Sequence, residues 1–309
     1  MDLDTVLEEA ANDPRLINEL LETYGQCMWR SGGAYWKLSE TLNGVADRQR
    51  LLYRRLGLAW DVAFQWRGME PTTHHLAIPK SVLLAIVALS ILWGWPRAAA
   101  LFLMGFTCLL RTDEFASASR RHLVFPADVL YEVDFMLVIV PFPKTRLKMA
   151  KQQTSRVAYP DVIDFLAATF AALPPDERLW PLGTSSLRRR FNLVCERIGL
   201  PTPSRKLEGQ RPLELGSIRG GGATAMMLET DDPPRVQRQG RWANPKVMEI
   251  YLQELAAVSL IPSLEAETRK RVRLLAAASP SLMTRAAQLQ RQAIPPVSWP
   301  TLFAAAHAA

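Results

Sequence analysis

Apolar residues recur at spacings of three and four along most of this chain, the period at which a helix buries one face. The pattern predicts helices over 5–24, 33–67, 161–173, 185–200 and 242–260. In the last of these, Asn244 is a predicted N-cap and Pro245 fits the first turn. Runs rich in β-branched and aromatic residues replace the helical period at 134–142 and 153–160, and the two runs flank a basic turn. The pattern predicts a mainly α fold interrupted by a small sheet.

The most apolar stretch, 81–110, raises the question of a membrane helix. Pro96 and Arg97 split it into pieces of about 15 and 13 residues, each shorter than the roughly 20 that a spanning helix needs. We therefore expect two buried core helices, 81–95 and 98–110, and no membrane partner.

Charge is distributed unevenly along the chain, whose net charge is +7. Residues 1–29 hold seven acidic residues and one arginine, whereas 30–67 hold seven lysines and arginines against three acids. Residues 186–252 hold twelve against seven. Two basic regions indicate two surfaces for a polyanion, although solvated helix faces produce similar clusters.

Cysteine usage and the first residues narrow the protein class. The three cysteines show no CxxC or Cys/His spacing, so neither a disulfide framework nor a zinc site is predicted. The acidic start lacks the basic and apolar regions of a secretory signal, and we expect a protein that is not secreted.

Three segments are predicted from composition and periodicity. Residues 67–80 contain two prolines and little periodicity, which is typical of a linker. We expect a helical N-terminal domain at 1–70, a larger domain at 76–260, and an Ala-rich C-terminal tail at 261–309 with a basic helix near 265–292.

Five residues in a fixed order suggest chemistry, although each alone has an ordinary interpretation. Arg111 ends an apolar helix, and Lys144 lies in the basic turn between strands. Arg219 precedes three glycines, Trp242 follows 23 residues later, and Tyr251 nine residues after that. A helix-end ion pair, a solvated turn lysine, a surface arginine and packed core aromatics would explain them singly.

Taken together, the order resembles that of the tyrosine recombinases, the family of the phage integrases. The resemblance covers roughly 1–260 in layout, with motifs confined to 102–122, 134–158 and 213–255. The family's LR-x-x-E motif corresponds to Arg111, with Glu114 as its supporting acid. The family's H-x-x-R box ends at Arg219, and the spacing to Trp242 and Tyr251 is similar to that of the Cre-like branch, which also has tryptophan there.

The resemblance implies a mainly α fold with a small three-stranded antiparallel sheet over 124–158. It also implies a DNA breaking-rejoining catalytic core preceded by a helical core-binding module, as in an integrase of a eukaryotic mobile element. Tyr251 would attack a phosphodiester to form a 3′-phosphotyrosyl link without metal or other cofactor. Arg111 and Arg219 would clamp the phosphate, and Trp242 would donate its indole N–H. Lys144 would be the general acid, with Lys148 and Lys151 as alternatives.

One member of the family pattern is absent, because the first box position is Gly216. Glycine can neither position a phosphate nor move a proton, so we expect slow cleavage that Gly216→His would raise. A catalytically decayed DNA-binding protein of the same fold is the alternative. A type IB topoisomerase is the runner-up among enzymes, since it shares the Arg, Lys, Arg and Tyr chemistry.

The partner implied by the resemblance is double-stranded DNA, held by a clamp of both modules mainly through phosphates. The candidate DNA-binding residues are Arg48, Arg50, Arg54, Arg55, Arg188, Arg189 and Arg190. The family assembles as tetramers on DNA, with a C-terminal helix packed into a neighbouring protomer. Residues 265–292 would do so here or dock on their own chain. A eukaryotic source would imply the nucleus, and any other source the cytoplasm.

Overall fold

The computed structural model describes residues 3–69, 75–141, 143, 152–204 and 212–305. Within these ranges the chain is mainly helical with one small antiparallel sheet, as the hydrophobic pattern predicts. It divides into two compact units, Met1–Thr73 and His74–Ala309. The described candidates for catalysis all lie in the second unit.

The first unit consists of helices α1 Leu3–Asn12, α2 Pro14–Arg30, α3 Tyr35–Arg48 and α4 Gly57–Met69. The ranges 5–24 and 33–67 are helical as predicted, but each is divided between two helices. Asp13 caps α2 with its side chain, and Pro14 occupies the first helical position, so the chain starts a new helix there. Arg54 adopts a left-handed φ of 68° between α3 and α4 and reverses the chain.

The second unit holds the remaining helices and the sheet. Its helices are α5 Lys80–Leu92, α6 Pro96–Thr107, α7 Thr112–Ala116, α8 Pro160–Phe170, α9 Thr184–Ile198, α10 Ser217–Thr230, α11 Pro233–Gly240, α12 Pro245–Glu249, α13 Glu254–Ser263, α14 Ala266–Arg291 and α15 Trp299–Ala305. Its strands are β1 Leu123–Val124, β2 Met136–Val140 and β3 Gln153–Val157.

The apolar stretch forms α5 and α6, which lie in the main core of this unit. Their burial confirms the prediction, although Pro96 begins α6 two residues earlier than expected, as suits a proline at the first helical position. In the described ranges no single helix is long and apolar enough to cross a membrane. The segments 245–263 and 266–291 are together long and apolar enough for a membrane span, but the chain bends by 112° between them.

The sheet confirms the predicted three antiparallel strands, in the order β1, β2, β3. Met136 pairs with Val157 and Val140 with Gln153, which sets the register of the hairpin. Alternate residues of β3 are buried, and one of them, Ser155, donates its hydroxyl to the carbonyl of Cys108 at 2.7 Å. The sheet therefore holds the C-terminal end of α6, immediately before Arg111.

The predicted basic helix of the tail is α14, which packs on α5 and α8 of its own chain. Val272, Met283 and Leu289 of this helix belong to the main core. In this structure the helix is therefore docked on its own chain, which is one of the two arrangements expected for it.

The glycine run at 220–222 allows two other main-chain segments of the protein to pack closely against α10. A Cβ on Gly221 would lie 2.3 Å from the carbonyl oxygen of Ile78, and one on Gly222 would lie 2.1 Å from that of Phe106. A Cβ on Gly220 would meet nothing closer than 3.7 Å. Two of the three glycines are therefore required by packing against rigid main chain.

We expect Gly221→Ala to lower the free energy of unfolding by about 1–3 kcal/mol, because the methyl group overpacks a backbone contact. Gly220→Ala is the matched control in the same turn. It should be neutral or stabilise by roughly 0.5–1 kcal/mol, since alanine suits a helix interior better than glycine. Urea denaturation of both variants checks the pair, and equal stabilities would contradict the packing argument.

Candidate active site

Arg111 is positioned by the sharp end of α6. Leu109 takes a left-handed φ of 50°, which turns the chain so that α7 begins directly after Arg111. Glu114 reaches back across this turn and accepts from the Arg111 backbone N–H at 2.8 Å and from Arg111 Nη1 at 2.7 Å. The predicted pair of an arginine and its supporting acid is thus a helix-capping arrangement.

Arg219 lies in the first turn of α10 and is buried, with only 5% of its side chain exposed. Its Nη2 donates to the carbonyl of Gly240 at 2.6 Å, and its Nη1 lies 3.7 Å from Glu114 Oε2. The guanidinium carbon lies 4.8 Å from the ring centre of Trp242 and 5.4 Å from that of Tyr251. Arg219 therefore joins the carboxylate to both aromatic residues.

A third arginine, Arg241, completes this cluster and was not among the candidates from the sequence. Its Nη2 donates to Glu114 Oε2 at 2.7 Å, and its Nη1 donates to the Cys108 carbonyl at 3.2 Å. Arg241 ends α11 with a left-handed φ of 56° and is almost fully buried. In the sequence, only its position next to Trp242 could have drawn attention to Arg241. Its partner Glu114 is 127 positions away, so no local pattern links the two residues.

The buried charges alter one another's ionisation. Burial opposes the charged form of Glu114, but Arg241 and the hydrogen bonds from Arg111 outweigh it, so the pKa of this carboxyl is lowered. Burial, followed by the positive charges of Arg111 and Arg241, lowers the pKa of Arg219. Three guanidinium groups share one carboxylate, which leaves a positive, largely water-shielded site that favours an anion.

Trp242 folds back over the end of α11. A Cβ on Gly240 would lie 1.8 Å from its ring, so only glycine allows this position. The ring centre of Trp242 is 5.1 Å from that of Tyr251. The two aromatic residues thus form one packed wall beside Arg219.

Tyr251 lies in a turn, and the prediction of a continuous helix over 242–260 is wrong. Asn244 caps α12 as predicted, accepting from the Val247 N–H at 3.0 Å, but α12 ends at Glu249. The hydroxyl of Thr224 donates to the Tyr251 carbonyl and accepts from the Gln253 N–H, each at 3.1 Å. These tertiary hydrogen bonds replace helical ones and hold the tyrosine half-buried beside α10.

Several donors in this cluster lack a hydrogen-bond partner within the described part of the chain. They are Nε and Nη1 of Arg219, Nε of Arg241 and the indole Nε1 of Trp242. Buried donors are normally paired, and charged donors bind anionic oxygens most strongly. The cluster therefore carries buried donors that its own residues leave without a hydrogen bond.

The predicted general acid, Lys144, lies outside the described residues, as do Lys148 and Lys151. Gly216 immediately precedes α10 with φ −62° and ψ −25°, an ordinary helical conformation that any residue adopts. A Cβ there would lie 2.5 Å from the imidazole of His75, so a neighbouring side chain already fills this space. His75 was not among the candidates from the sequence.

No group of three or more His, Cys, Asp and Glu side chains is placed to hold a metal ion in the described ranges. No protein-family model and no curated protein matches this chain.

The candidate DNA-binding arginines of the first unit are exposed, as are Arg188 and Arg189 on α9. Arg190 differs, because its guanidinium carbon lies 4.6 Å from the ring centre of Trp95 and 5.3 Å from that of Trp180. Burial also lowers its pKa. Arg190 thus packs between two indoles, which limits its reach toward a ligand.

Proposed function

We propose that this chain cuts and rejoins double-stranded DNA in the manner of a tyrosine recombinase, with Tyr251 as the nucleophile. The observation that carries the proposal is the convergence of Arg111, Arg219 and Tyr251, which come from separate parts of the chain, around the carboxylate of Glu114 and the ring of Trp242. Their order along the chain and their contacts support the same chemistry independently.

The charge of the cluster suits a phosphodiester. Attack on phosphorus produces a pentacoordinate transition state with additional negative charge on the non-bridging oxygens. Planar guanidinium groups bind such oxygens through paired N–H donors, and fixed donors of this kind often contribute more to catalysis than any other group. Arg219 supplies unpartnered donors from a buried position, and Glu114 fixes Arg111 and Arg241 so that little reorganisation is needed.

The proposed reaction keeps its bond energy in a covalent intermediate. The Tyr251 hydroxyl oxygen bonds to phosphorus while the bond from phosphorus to the 5′-oxygen breaks, which gives a 3′-phosphotyrosyl link and a free 5′-hydroxyl. The departing oxygen takes a proton from a general acid, for which the sequence offers Lys144. Trp242 donates its indole N–H to a phosphate oxygen. The reverse reaction with a 5′-hydroxyl of a partner duplex joins the strands.

Gly216 favours a second candidate, a DNA-binding protein that has kept this fold and lost catalysis. Both functions require affinity for duplex DNA through the exposed arginines, and assembly of several protomers on DNA belongs to the first. A type IB topoisomerase would use the same side chains. Relaxation of supercoiled plasmid by catalytic amounts of protein separates the topoisomerase from the recombinase.

Covalent trapping tests the proposal. Duplexes that bind the chain are first selected from a random pool, and a nick is then placed so that the cleaved end diffuses away. We expect a slowly accumulating adduct between the protein and the DNA that survives denaturation. Specific DNA binding without any adduct, at long times and high protein concentration, would favour the non-catalytic binder instead.

Arg219→Lys should reduce the rate of adduct formation by about 10²–10³-fold, because the lysine keeps the charge but loses the planar set of donors. Arg235→Lys is the matched control, since Arg235 is an exposed residue on α11. It should react at the wild-type rate. Single-turnover cleavage of the nicked duplex by both folded variants gives the comparison, and equal rates would remove Arg219 from the proposed site.

A further inference from the structure

The space over Gly216 is occupied by a histidine from another part of the chain. A Cβ placed on Gly216 would lie 2.5 Å from Cδ2 and 2.6 Å from Nε2 of His75. The backbone at Gly216 is helical, so this position could carry any side chain if the imidazole were absent. The imidazole of His75 therefore lies where a side chain of residue 216 would begin.

This place is next to the buried arginine. Residues 216 and 219 are three apart at the start of α10, and residues with that spacing share one helix face. His75 consequently brings an imidazole to the face of α10 that carries Arg219. Its side chain is 58% exposed, so the ring is accessible to a ligand that reaches this face.

A carboxylate orients the imidazole. Nδ1 of His75 lies 3.2 Å from Oε2 of Glu214. A carboxylate accepts hydrogen bonds only, so in the neutral ring Nδ1 carries the proton and Nε2 has a free lone pair. Nε2 is the ring nitrogen near Gly216. The nitrogen able to accept a proton is thus directed to the side of α10.

The segment that carries His75 is tied to the turn of the candidate nucleophile. The Gln253 side chain donates to the His75 carbonyl at 2.8 Å and accepts from the Ala77 N–H at 3.3 Å. The Gln253 N–H donates to Thr224 Oγ1, which donates to the Tyr251 carbonyl. The position of His75 is therefore coupled through Gln253 to the backbone of Tyr251.

We propose that His75 supplies the imidazole that Gly216 cannot, as the proton acceptor for Tyr251 in the proposed cleavage reaction. The phenolic proton passes to Nε2 as the tyrosine oxygen bonds to phosphorus, and the imidazolium that forms is stabilised by Glu214. The 5′-oxygen leaves with its electron pair and is protonated by the general acid. In rejoining, the imidazolium returns its proton to the departing tyrosine oxygen. This inference rests on the proposed function and assigns it a further catalytic residue.

The test compares wild type, His75→Ala, His75→Gln, and the double variant His75→Ala with Gly216→His in single-turnover cleavage of the nicked duplex. His75→Ala should cleave about 10²-fold more slowly, within the range for loss of a proton-transfer group. DNA affinity and thermal midpoint should stay near wild type, because the side chain is largely exposed. His75→Gln should share the loss, since an amide cannot accept the proton.

Two further measurements distinguish a role of His75 in proton transfer from a purely structural role. Added imidazole should restore part of the rate of His75→Ala and leave wild type unchanged. The double variant should recover much of the rate, because a histidine at 216 enters the same space once the native ring is removed. Gly216→His alone should bring no gain, contrary to the expectation from the sequence, because its side chain would meet His75.

The outcomes distinguish this inference from the function on which it rests. If wild type forms an adduct and His75→Ala forms it at the same rate, the role of His75 is refuted while the proposed function stands. A slower His75→Ala that neither imidazole nor the double variant rescues also refutes it, since His75 would then be structural. If no variant and no wild-type protein forms an adduct on bound DNA, both proposals fail.

Discussion

Tyr251→Phe is expected to abolish the covalent adduct with DNA while leaving DNA affinity unchanged. The substitution removes the nucleophilic oxygen but keeps the ring that packs on Trp242 and lies beside Arg219. The turn is held by the Thr224 hydroxyl, which donates to the Tyr251 carbonyl and accepts from the Gln253 N–H, and the variant retains both hydrogen bonds. The measurement is trapping on the nicked duplex, with affinity determined by fluorescence anisotropy on the intact one.

Tyr159→Phe is the matched control for this loss. Tyr159 also lies in the second unit, with its hydroxyl 3.4 Å from Glu229 Oε2. Burial and the nearby Glu229 raise the pKa of this phenol, which disfavours a nucleophilic phenolate. The control should form adduct at the wild-type rate. Adduct formation that survives Tyr251→Phe would show that the nucleophile is a different residue.

Glu114→Gln is expected to lower the free energy of unfolding by about 3–5 kcal/mol, because removing one partner of a buried ion pair leaves the other charges uncompensated. The amide has nearly the same shape but no charge to set against Arg111, Arg219 and Arg241. Only 8% of the Glu114 side chain is exposed, so water screens the loss poorly. Urea denaturation at neutral pH measures the difference.

The neighbouring Asp113 provides the control for Glu114. Its side chain is exposed in the same short helix, and Asp113→Asn should change stability by less than about 0.5 kcal/mol. Equal losses in the two variants would show that the arginine cluster does not depend on its central carboxylate.

Lowering the pH should weaken the ion pairs of Glu114 and reduce their contribution to stability. The pKa of Glu114 is lowered in the folded protein from a usual value of 4.5, so its contribution to stability is complete above that value. The contribution is lost as the pH falls through the lowered folded pKa. Below pH 4.5 the free energy of unfolding of wild type should therefore fall more steeply than that of Glu114→Gln. The difference in stability between the two proteins should become smaller there.

The fold and several local features were readable from the sequence because they depend on neighbouring residues. The apolar stretch with Pro96 predicted two buried helices, and runs rich in β-branched and aromatic residues predicted β2 and β3. Arg111 and Glu114 are three residues apart, so their pairing at a helix end can be predicted from the local sequence. The same holds for the cap at Asn244.

The features that were missed depend on tertiary contacts. Arg241 binds Glu114 across 127 positions of the chain, and nothing local distinguishes it from a surface arginine. His75 occupies the space of a side chain at 216, a relation that only the approach of 75–79 to α10 creates. The break at Tyr251 follows from Thr224, whose hydroxyl competes with helical hydrogen bonds. Periodicity reports none of these.

The position of the DNA linkage within the protein tests the central claim most directly. The adduct from the nicked duplex is digested with nuclease and protease, and the peptide that carries the nucleotide is sequenced by mass spectrometry. The account predicts one modified peptide, with a 3′-phosphate attached to the Tyr251 oxygen and a free 5′-hydroxyl on the released strand. Attachment at any other residue, or through a 5′-phosphate, would contradict it.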